Sequence, residues 1–350
     1  MHSAEDFPNG FMSMVTDNPR VDEKLRRETA AAGLLRSNHA GILVIEVDSG
    51  GEDDAGRLFS GALSLCEQDQ VFLLAEPPAP WRLSSLRTVL ARHRTAWFSE
   101  FLRTGRVRSH LQPIVDLRER SVFGFEALFR GELADGTPLL PVAAFEAARE
   151  TDQIAALDRK ARHAALEAGA RLLSPSEKLF VNVDAAGLPG GAADLDDTLE
   201  LARRLPQAPG GIVFELVESE SLASSSPLHS MLDRLREEGF LIALDDLTSG
   251  FSTLAVLDRL RPDIAKLDQR LVHGAWSDRY RARLVRAFVD LAEDLDLPLV
   301  LEGVEDEDDY AFICDLGAHL AQGYYFARPA ADPVREIAVF RNHRAVRKSA

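Results

Sequence analysis

Seven short apolar runs each carry or end on a side chain that could do chemistry: Glu126 in GFEALF, Asn182 in LFVNVD, Glu215 in VFELVE, Asp245-Asp246 in LIALDD, Lys266 in DIAKLD, Glu302 in LVLEGV and Gln322 in LAQGYY. Taken singly, each has an ordinary explanation. A glutamate after an apolar run is a solvated strand end, an aspartate pair is a turn or a helix N-cap, and Gln-Gly is a turn. A lone lysine is a surface group. Taken together they read differently. Carboxylates brought together without a cation repel one another and lose solvation. Hard oxygen donors with an amide oxygen suit Mg²⁺ or Mn²⁺ better than zinc. Adjacent aspartates allow one to bridge two ions and the other to reach the second ion or a water. Two ions ~3.5–4 Å apart make a phosphodiester-hydrolysing centre. Lys266 would offset charge in such a centre.

The elements that would position these groups follow from hydrophobic patterning. From about residue 108, apolar runs at 108–115, 121–128, 178–183, 211–217, 240–245, 263–267, 298–303 and 321–326 read as strands. Helical stretches near 142–149, 157–173, 196–205, 220–238, 252–260, 279–296 and 306–316 alternate with them. This alternation predicts an α/β fold, a (βα)8 TIM-like barrel, in which functional side chains gather at the C-terminal ends of the strands. Only Asp116–Arg120 joins the first two strands. A parallel crossover needs a dozen or more residues, so this pair is expected to be antiparallel and the barrel irregular at its start.

The rest of the chain is less informative. Residues 1–20 are polar with Gly, Asn and Pro punctuation and are expected to be mobile. Residues 21–100 read as a small α/β or helical region: a helix over 21–35, strands at 41–47 and 71–74, and a helix over 84–101. The 350 residues include 40 Lys plus Arg and 56 Asp plus Glu, a formal net charge of −16. That argues against duplex binding through a basic surface. It leaves room for an anionic small ligand, because bound metal ions invert the local field. Two cysteines, Cys66 and Cys314, cannot build a disulfide framework. No apolar stretch approaches the ~20 residues of a membrane span. Met1–Asp6 leads into no apolar signal segment. A cytoplasmic protein with no membrane or duplex partner is expected.

The ordered motifs LQPIVDLRERSVFGFEALFRG (111–131), FVNVD (180–184), FELVES (214–219), ALDDLTSGFSTL (243–254), DIAKLD (263–268), LEGVED (301–306) and LGAHLAQGYYFARP (316–329) resemble the EAL-domain family of cyclic-di-GMP phosphodiesterases. The resemblance implies an irregular TIM barrel with an antiparallel first strand. It also implies hydrolysis of cyclic di-GMP to linear pGpG with two Mg²⁺ or Mn²⁺ ions, and a homodimer. By that resemblance Glu126, Asn182, Glu215, Asp245 and Asp246 bind metal. Lys266 stands beside the attacking water, Glu302 serves the second metal and its waters, and Gln322 fixes the lysine and water geometry. Gln112, Leu128 and Arg130 contact the dinucleotide. Glu218 holds the loop that follows Asp246. Ca²⁺ is expected to inhibit, being larger and a poorer acid for bound water. The implied organisation is a mobile segment 1–20, a regulatory or dimerising region 21–100, a phosphodiesterase domain 101–335 and a tail 336–350.

This chain departs from the family in the loop after the aspartate pair. Leu247-Thr248-Ser249 stands where the family usually has Phe-Gly-Thr/Ser, and a lost glycine restricts the backbone. His319 stands where an aspartate is common. A receptor that binds cyclic di-GMP with little turnover is the alternative reading, although every family metal ligand is retained. An enolase-like barrel using Lys266 and one metal would leave the adjacent aspartates without a purpose. A scaffold would leave the whole carboxylate rim without one. Residues 1–100 contain no GGDEF-like motif, which argues against synthase activity.

Overall fold

The computed structural model describes residues 11–16, 18–31, 35–39, 42–46, 63, 71–74, 84–85, 96–184, 195–207, 209–217, 226–247 and 253–341. Glu218, Thr248 and Ser249 lie outside the described residues, as do residues 1–10 of the N-terminal segment. The chain divides into two compact units, 1–104 with 142–153, and 105–141 with 154–350.

In the first unit, strands β1 (Phe11–Val15), β2 (Leu35–His39), β3 (Ile42–Glu46), β4 (Phe72–Leu74) and β5 (Ser84–Ser85) form an antiparallel sheet in the order β2-β3-β1-β4-β5. Phe11–Val15 lies within the segment read from its polarity as mobile, but its residues FMSMV are largely apolar and pair with Ile42–Glu46. Helix α1 (Pro19–Ala31) starts on a proline, whose missing N–H costs nothing at the first helical position. It buries Val21, Leu25 and Thr29, four residues apart on one face. Ser84 and Ser85 pair with Leu73 and Phe72, so the helix expected over 84–101 is corrected to α2, Ala96–Thr104, with residues 86–95 outside the described set. Helix α3 (Pro141–Glu150) buries a face of alanines.

The second unit is a closed barrel. Its strands are β6 (Arg106–Asp116), β7 (Ser121–Glu132), β9 (Lys178–Val183), β10 (Ile212–Val217), β11 (Leu241–Leu247), β12 (Ile264–Leu267), β13 (Leu299–Leu301) and β14 (Leu320–Gln322). Each is hydrogen-bonded to the next, and β14 returns to β6. A short strand, β8 (Pro138–Leu139), is added outside the ring on β7. Strand β6 is antiparallel to both neighbours, β7 and β14, and all other ring pairings are parallel. The cause is the tight Asp116–Arg120 connection, in which Asp116 Oδ1 accepts from Arg118 and Glu119 N–H. Around the ring lie α4 (Ile154–Leu172), α5 (Asp196–Ala202), α6 (Ser226–Glu237), α7 (Thr253–Leu260), α8 (Gln269–Val272), α9 (Arg279–Asp294) and α10 (Glu307–Asp315).

Two strands end earlier than their apolar runs suggest. β13 stops at Leu301 because Gly303 turns the chain at φ +74°. β14 stops at Gln322 because Gly323 abuts the backbone of Val304: a Cβ there would lie 2.1 Å from the Val304 carbonyl oxygen. Tyr324-Tyr325-Phe326 therefore forms a turn rather than more strand. Among the described residues, no helix is long and apolar enough to cross a membrane.

The packing explains where the chemistry sits. Strand residues alternate between the barrel interior and the face covered by helices. Ile114, Phe180, Val213, Ala243, Ile264, Val300 and Leu320 form one buried apolar cluster inside the ring. A second, larger cluster includes Leu179, Phe214, Leu244, Leu267, Leu301 and helix residues such as Leu166 and Val285. One step of two residues beyond the interior layer, towards the strands' C-terminal ends, stand Asn182, Glu215, Asp245, Lys266, Glu302 and Gln322. On antiparallel β6 the step runs backwards in sequence, from Ile114 to Gln112, which pairs in register with Glu126.

Candidate active site

Each polar group of the upper layer rides on a strand anchored by the apolar layer below it, so the fold holds it rigidly. Lys266 is the hub. Its side chain is 1% exposed, and its Nζ lies 2.8 Å from Glu302 Oε1, 2.9 Å from Glu215 Oε1, 3.2 Å from Asp245 Oδ1 and 3.3 Å from Glu126 Oε2. Glu126 also accepts from Asn182 Nδ2 at 3.1 Å and Gln322 Nε2 at 2.7 Å. Gln112 Nε2 donates to the Ala327 carbonyl.

An ammonium has three N–H donors, and here four carboxylates converge on it. Glu215 Oε2 and Gln322 Oε1 are buried without a partner among the described residues, and Glu215 Oε1 and Asp245 Oδ1 have only the shared Lys266 ammonium. Buried groups normally find partners, and an unpaired buried charge is expensive. With Asp246 the site holds five carboxylates against one ammonium, a formal charge of −4.

The protonation of the metal-free site follows from that imbalance. Burial alone would lower the Lys266 ammonium, but Asp245, Glu126, Glu215 and Glu302 raise it well above its ordinary value, so it stays charged. Burial pushes Glu215 well above the carboxylate range, against the pull of Lys266 and with the help of Glu126 and Asp245. Burial raises Asp245 as well. It pushes Glu302 up to about 8, with Asp245 and Glu126 adding to the shift and Lys266 opposing it. Glu126 is the exception: burial raises it, but Lys266 and the Gln322 and Asn182 amides more than offset that, and it is lowered. Asp246, raised by burial and by Asp245 and Asp268, reaches about 6.

The adjacent aspartates require a local irregularity. Strict alternation would send Asp246 to the helix side. The β11–β12 register shifts between Leu244 and Leu247, and Asp246 adopts φ +59°. Left-handed backbone at a non-glycine residue is strained and is retained where the surroundings impose it. Its result is that oxygens of Asp245, Asp246 and Glu302 lie within 4.8 Å of one another, close enough to hold a metal ion. Leu247, next in sequence, is buried in the larger core cluster. The unpartnered carboxylate oxygens and the adjoining amides are the hard donor set that Mg²⁺ or Mn²⁺ would take.

A cavity of about 220 Å³ opens over this layer, lined by Gln112, Glu126, Asp245, Asp246 and Glu302 among others. Asn182, Glu215 and Lys266 do not line it: Asn182 bonds to the lining residue Glu126, and Lys266, which holds Glu215, contacts the lining residues Glu126, Asp245 and Glu302. Leu128 and Arg130 alternate with Glu126 on one face of β7. The Arg130 guanidinium donates to the Phe129 carbonyl; burial lowers it, while Tyr324 and Glu126 counter that fall. Six lining residues were not expected from the sequence: Asp268, Gln269, Gly303, Glu305, Gly323 and Tyr324. Asp268 lines the cavity together with Asp246, whose carboxyl it helps to raise, and is ion-paired to Arg270. Its position two residues after Lys266, in the same alternation, was the available signal. Tyr324 lies under the Arg328 guanidinium at 4.2 Å. A larger cavity, about 460 Å³, opens at the other end of the barrel beside Arg118, Phe123 and His319, where no carboxylates converge on a lysine.

The EAL domain family model matches residues 95–329. "Probable cyclic di-GMP phosphodiesterase PdeG" of Escherichia coli (strain K12) is 28% identical over 231 residues, 65% of this chain and 45% of that protein. "Cyclic di-GMP phosphodiesterase NbdA" of Pseudomonas aeruginosa is 31% identical over 232 residues, 65% of this chain and 29% of that protein. The chain thus spans less than half the length of these relatives. Among solved structures, a standalone EAL protein from Vibrio cholerae O395 in its c-di-GMP-bound form is 28% identical, with a TM-score of 0.55, covering 66% of this chain and 96% of that one.

Proposed function

The chain belongs to the EAL domain family, and on that premise we propose that it hydrolyses cyclic di-GMP to linear pGpG. The observation that carries the reading is the buried layer in which four carboxylates share one ammonium and leave oxygens unpartnered. Two divalent cations would balance the formal charge of −4. Asp245, Asp246 and Glu302 would hold them with Glu126, Asn182 and Glu215, and Mg²⁺ or Mn²⁺ fits these hard donors. Bound there, the ions would supply charge stabilisation at the phosphoryl oxygens and lower the pKa of a water.

The chain's own residues do the rest. Lys266 holds and orients the attacking water, and Gln322 and Asn182 hold Glu126 in place. Water oxygen adds to one phosphorus, that phosphorus's bond to the ribose 3′ oxygen breaks, and the 3′ oxygen takes up a proton. The product is linear pGpG with a 5′ phosphate. Arg130, Gln112 and Leu128 take the dinucleotide. Ca²⁺, with looser geometry, would occupy the site and inhibit. A homodimer and a cytoplasmic location, where a bacterial second messenger acts, belong to the same reading, as does a regulatory or dimerising role for the N-terminal region.

The test is incubation of purified protein with cyclic di-GMP and Mg²⁺ or Mn²⁺, with pGpG followed by chromatography and Glu126→Ala as control. Metal-dependent pGpG from the wild type alone is expected. Binding without cleavage in either metal would replace the enzyme by the receptor reading, to which the altered loop after Asp246 would then belong.

A further inference from the structure

Asp309 is an acidic residue with 0% exposure, on the first turn of α10 and outside the carboxylate layer. Its backbone N–H is taken by the N-cap, Asp306, at 2.8 Å. In a capping box the third helical residue would return its side chain to the N-cap's own N–H. Asp309 does not. Its Oδ1 accepts from Gly274 N–H at 2.8 Å. Its Oδ2 accepts from Glu305 N–H at 3.1 Å and from His273 Nδ1 at 2.8 Å. Capping α10 requires none of these three bonds.

The three donors sit on two segments that meet at the cavity. His273 and Gly274 end the segment that begins with Asp268, whose backbone N–H bonds to Leu247, the residue after Asp246. Glu305 ends the loop that begins with Glu302. The loops already touch without spare room: a Cβ on Gly303 would lie 2.3 Å from Gln269 Cβ. Glu302 N–H donates to the Leu267 carbonyl, and Asp268 N–H to the Leu247 carbonyl. The carboxylate of Asp309 is therefore a buried clasp between the strand end that carries Glu302 and the segment bonded to the end of β11 beside Asp246. His273, Asp306 and Asp309 could also be taken for a cation site of their own. Both Asp309 oxygens already receive N–H donors, and nothing further points to an ion there.

Resting on the cation-binding reading above, we infer that Asp309 is a positioning residue for the cation site: it sets Glu302 against Asp246 by clasping their two loops. Partners behind metal ligands typically change metal affinity ~10–100-fold when lost. The test is direct calorimetric titration of Mn²⁺ alone into the metal-free full chain, with thermal unfolding recorded on the same samples. Asp309→Asn keeps the shape but turns an amide NH₂ towards N–H donors. It is expected to weaken Mn²⁺ binding ~10-fold or more. Asp306→Ala removes the cap of the same helix and leaves the clasp; it is expected to lower thermal stability and leave Mn²⁺ affinity within ~2-fold. His273→Ala removes one partly exposed donor and is expected to weaken Mn²⁺ binding ~3-fold, a smaller loss on the same scale. That variant decides the matter if Asp309→Asn does not fold. Unchanged affinity in a folded Asp309→Asn, or in His273→Ala if it must decide, overturns the inference. So does an equal loss in Asp306→Ala, which would reduce the effect to helix stability. A wild type that binds Mn²⁺ without cleaving cyclic di-GMP refutes the proposed reaction and leaves the clasp standing. A wild type that binds no Mn²⁺ overturns both.

Discussion

Cation binding to this site should expel protons, because burial holds most of its carboxylates above their ordinary range. Glu302, pushed up to about 8, and Asp246, at about 6, both carry more protons at neutral pH than an ordinary carboxylate. A cation needs them ionised. At pH 7 a group at about 8 is ~0.9 protonated and one at about 6 is ~0.1 protonated, so these two release ~1 proton together. At pH 5.5 the same pair releases ~1.8. Glu215 and Asp245 are raised as well, which makes these figures lower bounds. Apparent Mn²⁺ affinity should therefore rise ~10-fold or more per pH unit around pH 7, ~1.4 kcal/mol per unit. Calorimetry in two buffers of different ionisation enthalpy counts the protons directly. Glu302→Gln should lower the count at pH 7 by ~0.9. Mn²⁺ affinity that is flat between pH 6.5 and 7.5, with no proton released, would refute the reasoning. The same shifts affect the metal-free fold with a definite sign. A carboxylate whose folded value is raised favours folding below its unfolded pKa and loses that contribution as pH rises through its folded value. For Glu302 the loss runs from the ordinary range up to about 8. Metal-free protein should thus lose stability between pH 5.5 and 8.5, and Glu302→Gln should lose less.

Lys266→Ala should still bind cyclic di-GMP but cleave it ~10²-fold more slowly in a single-turnover assay, because a positioned catalytic group is lost. Its metal-free form should be ~3–5 kcal/mol less stable in urea unfolding, since the carboxylates lose their counter-ion. Glu215→Gln should change metal-free stability far less, by ~1 kcal/mol or under, because burial already favours the uncharged acid there and Lys266 keeps three carboxylates. Mn²⁺ should then stabilise that variant less than the wild type in a thermal scan. Gly303→Ala, at φ +74° with no room beside Gln269, should cost ~1–3 kcal/mol in denaturant unfolding and weaken Mn²⁺ binding.

Much of the barrel could be read from the chain because its strands are short and strictly alternating. The run 178–183 is the strand Lys178–Val183, and the antiparallel start follows from a five-residue connection that cannot cross over. The same alternation made the polar layer legible: Phe180 to Asn182, Val213 to Glu215 and Ile264 to Lys266 are each one two-residue step. What alternation cannot convey is the ending of a strand by a neighbour. Gly303 and Gly323 stop β13 and β14 through contacts with Gln269 and Val304, residues distant in sequence or on another loop. Glu305 and Tyr324 lie just past those glycines, so no periodicity assigns them to the cavity. Ser84 and Ser85 likewise pair through β4, against a local helical pattern.

Asp246 is the sharpest case of this limit. Alternation puts it on the wrong side of β11, and only the shifted register and its left-handed backbone bring it beside Asp245. A strand built for stability would have no reason to keep that strain, or to bury Glu215 with one oxygen unpartnered and the other on a shared ammonium. Both costs fall on the metal-free chain, and on the proposed reading both would ease with cations bound, because Glu215 and Asp245 would gain partners and Asp246 would be held where the bulge has put it. On that reading the irregularity and the charge excess would have one physical cause, a layer shaped for a ligand set rather than for itself. That is why Glu215→Gln should cost the metal-free fold little and yet weaken its response to metal. If that variant kept the full response to Mn²⁺, the layer's excess of carboxylates would have some other origin.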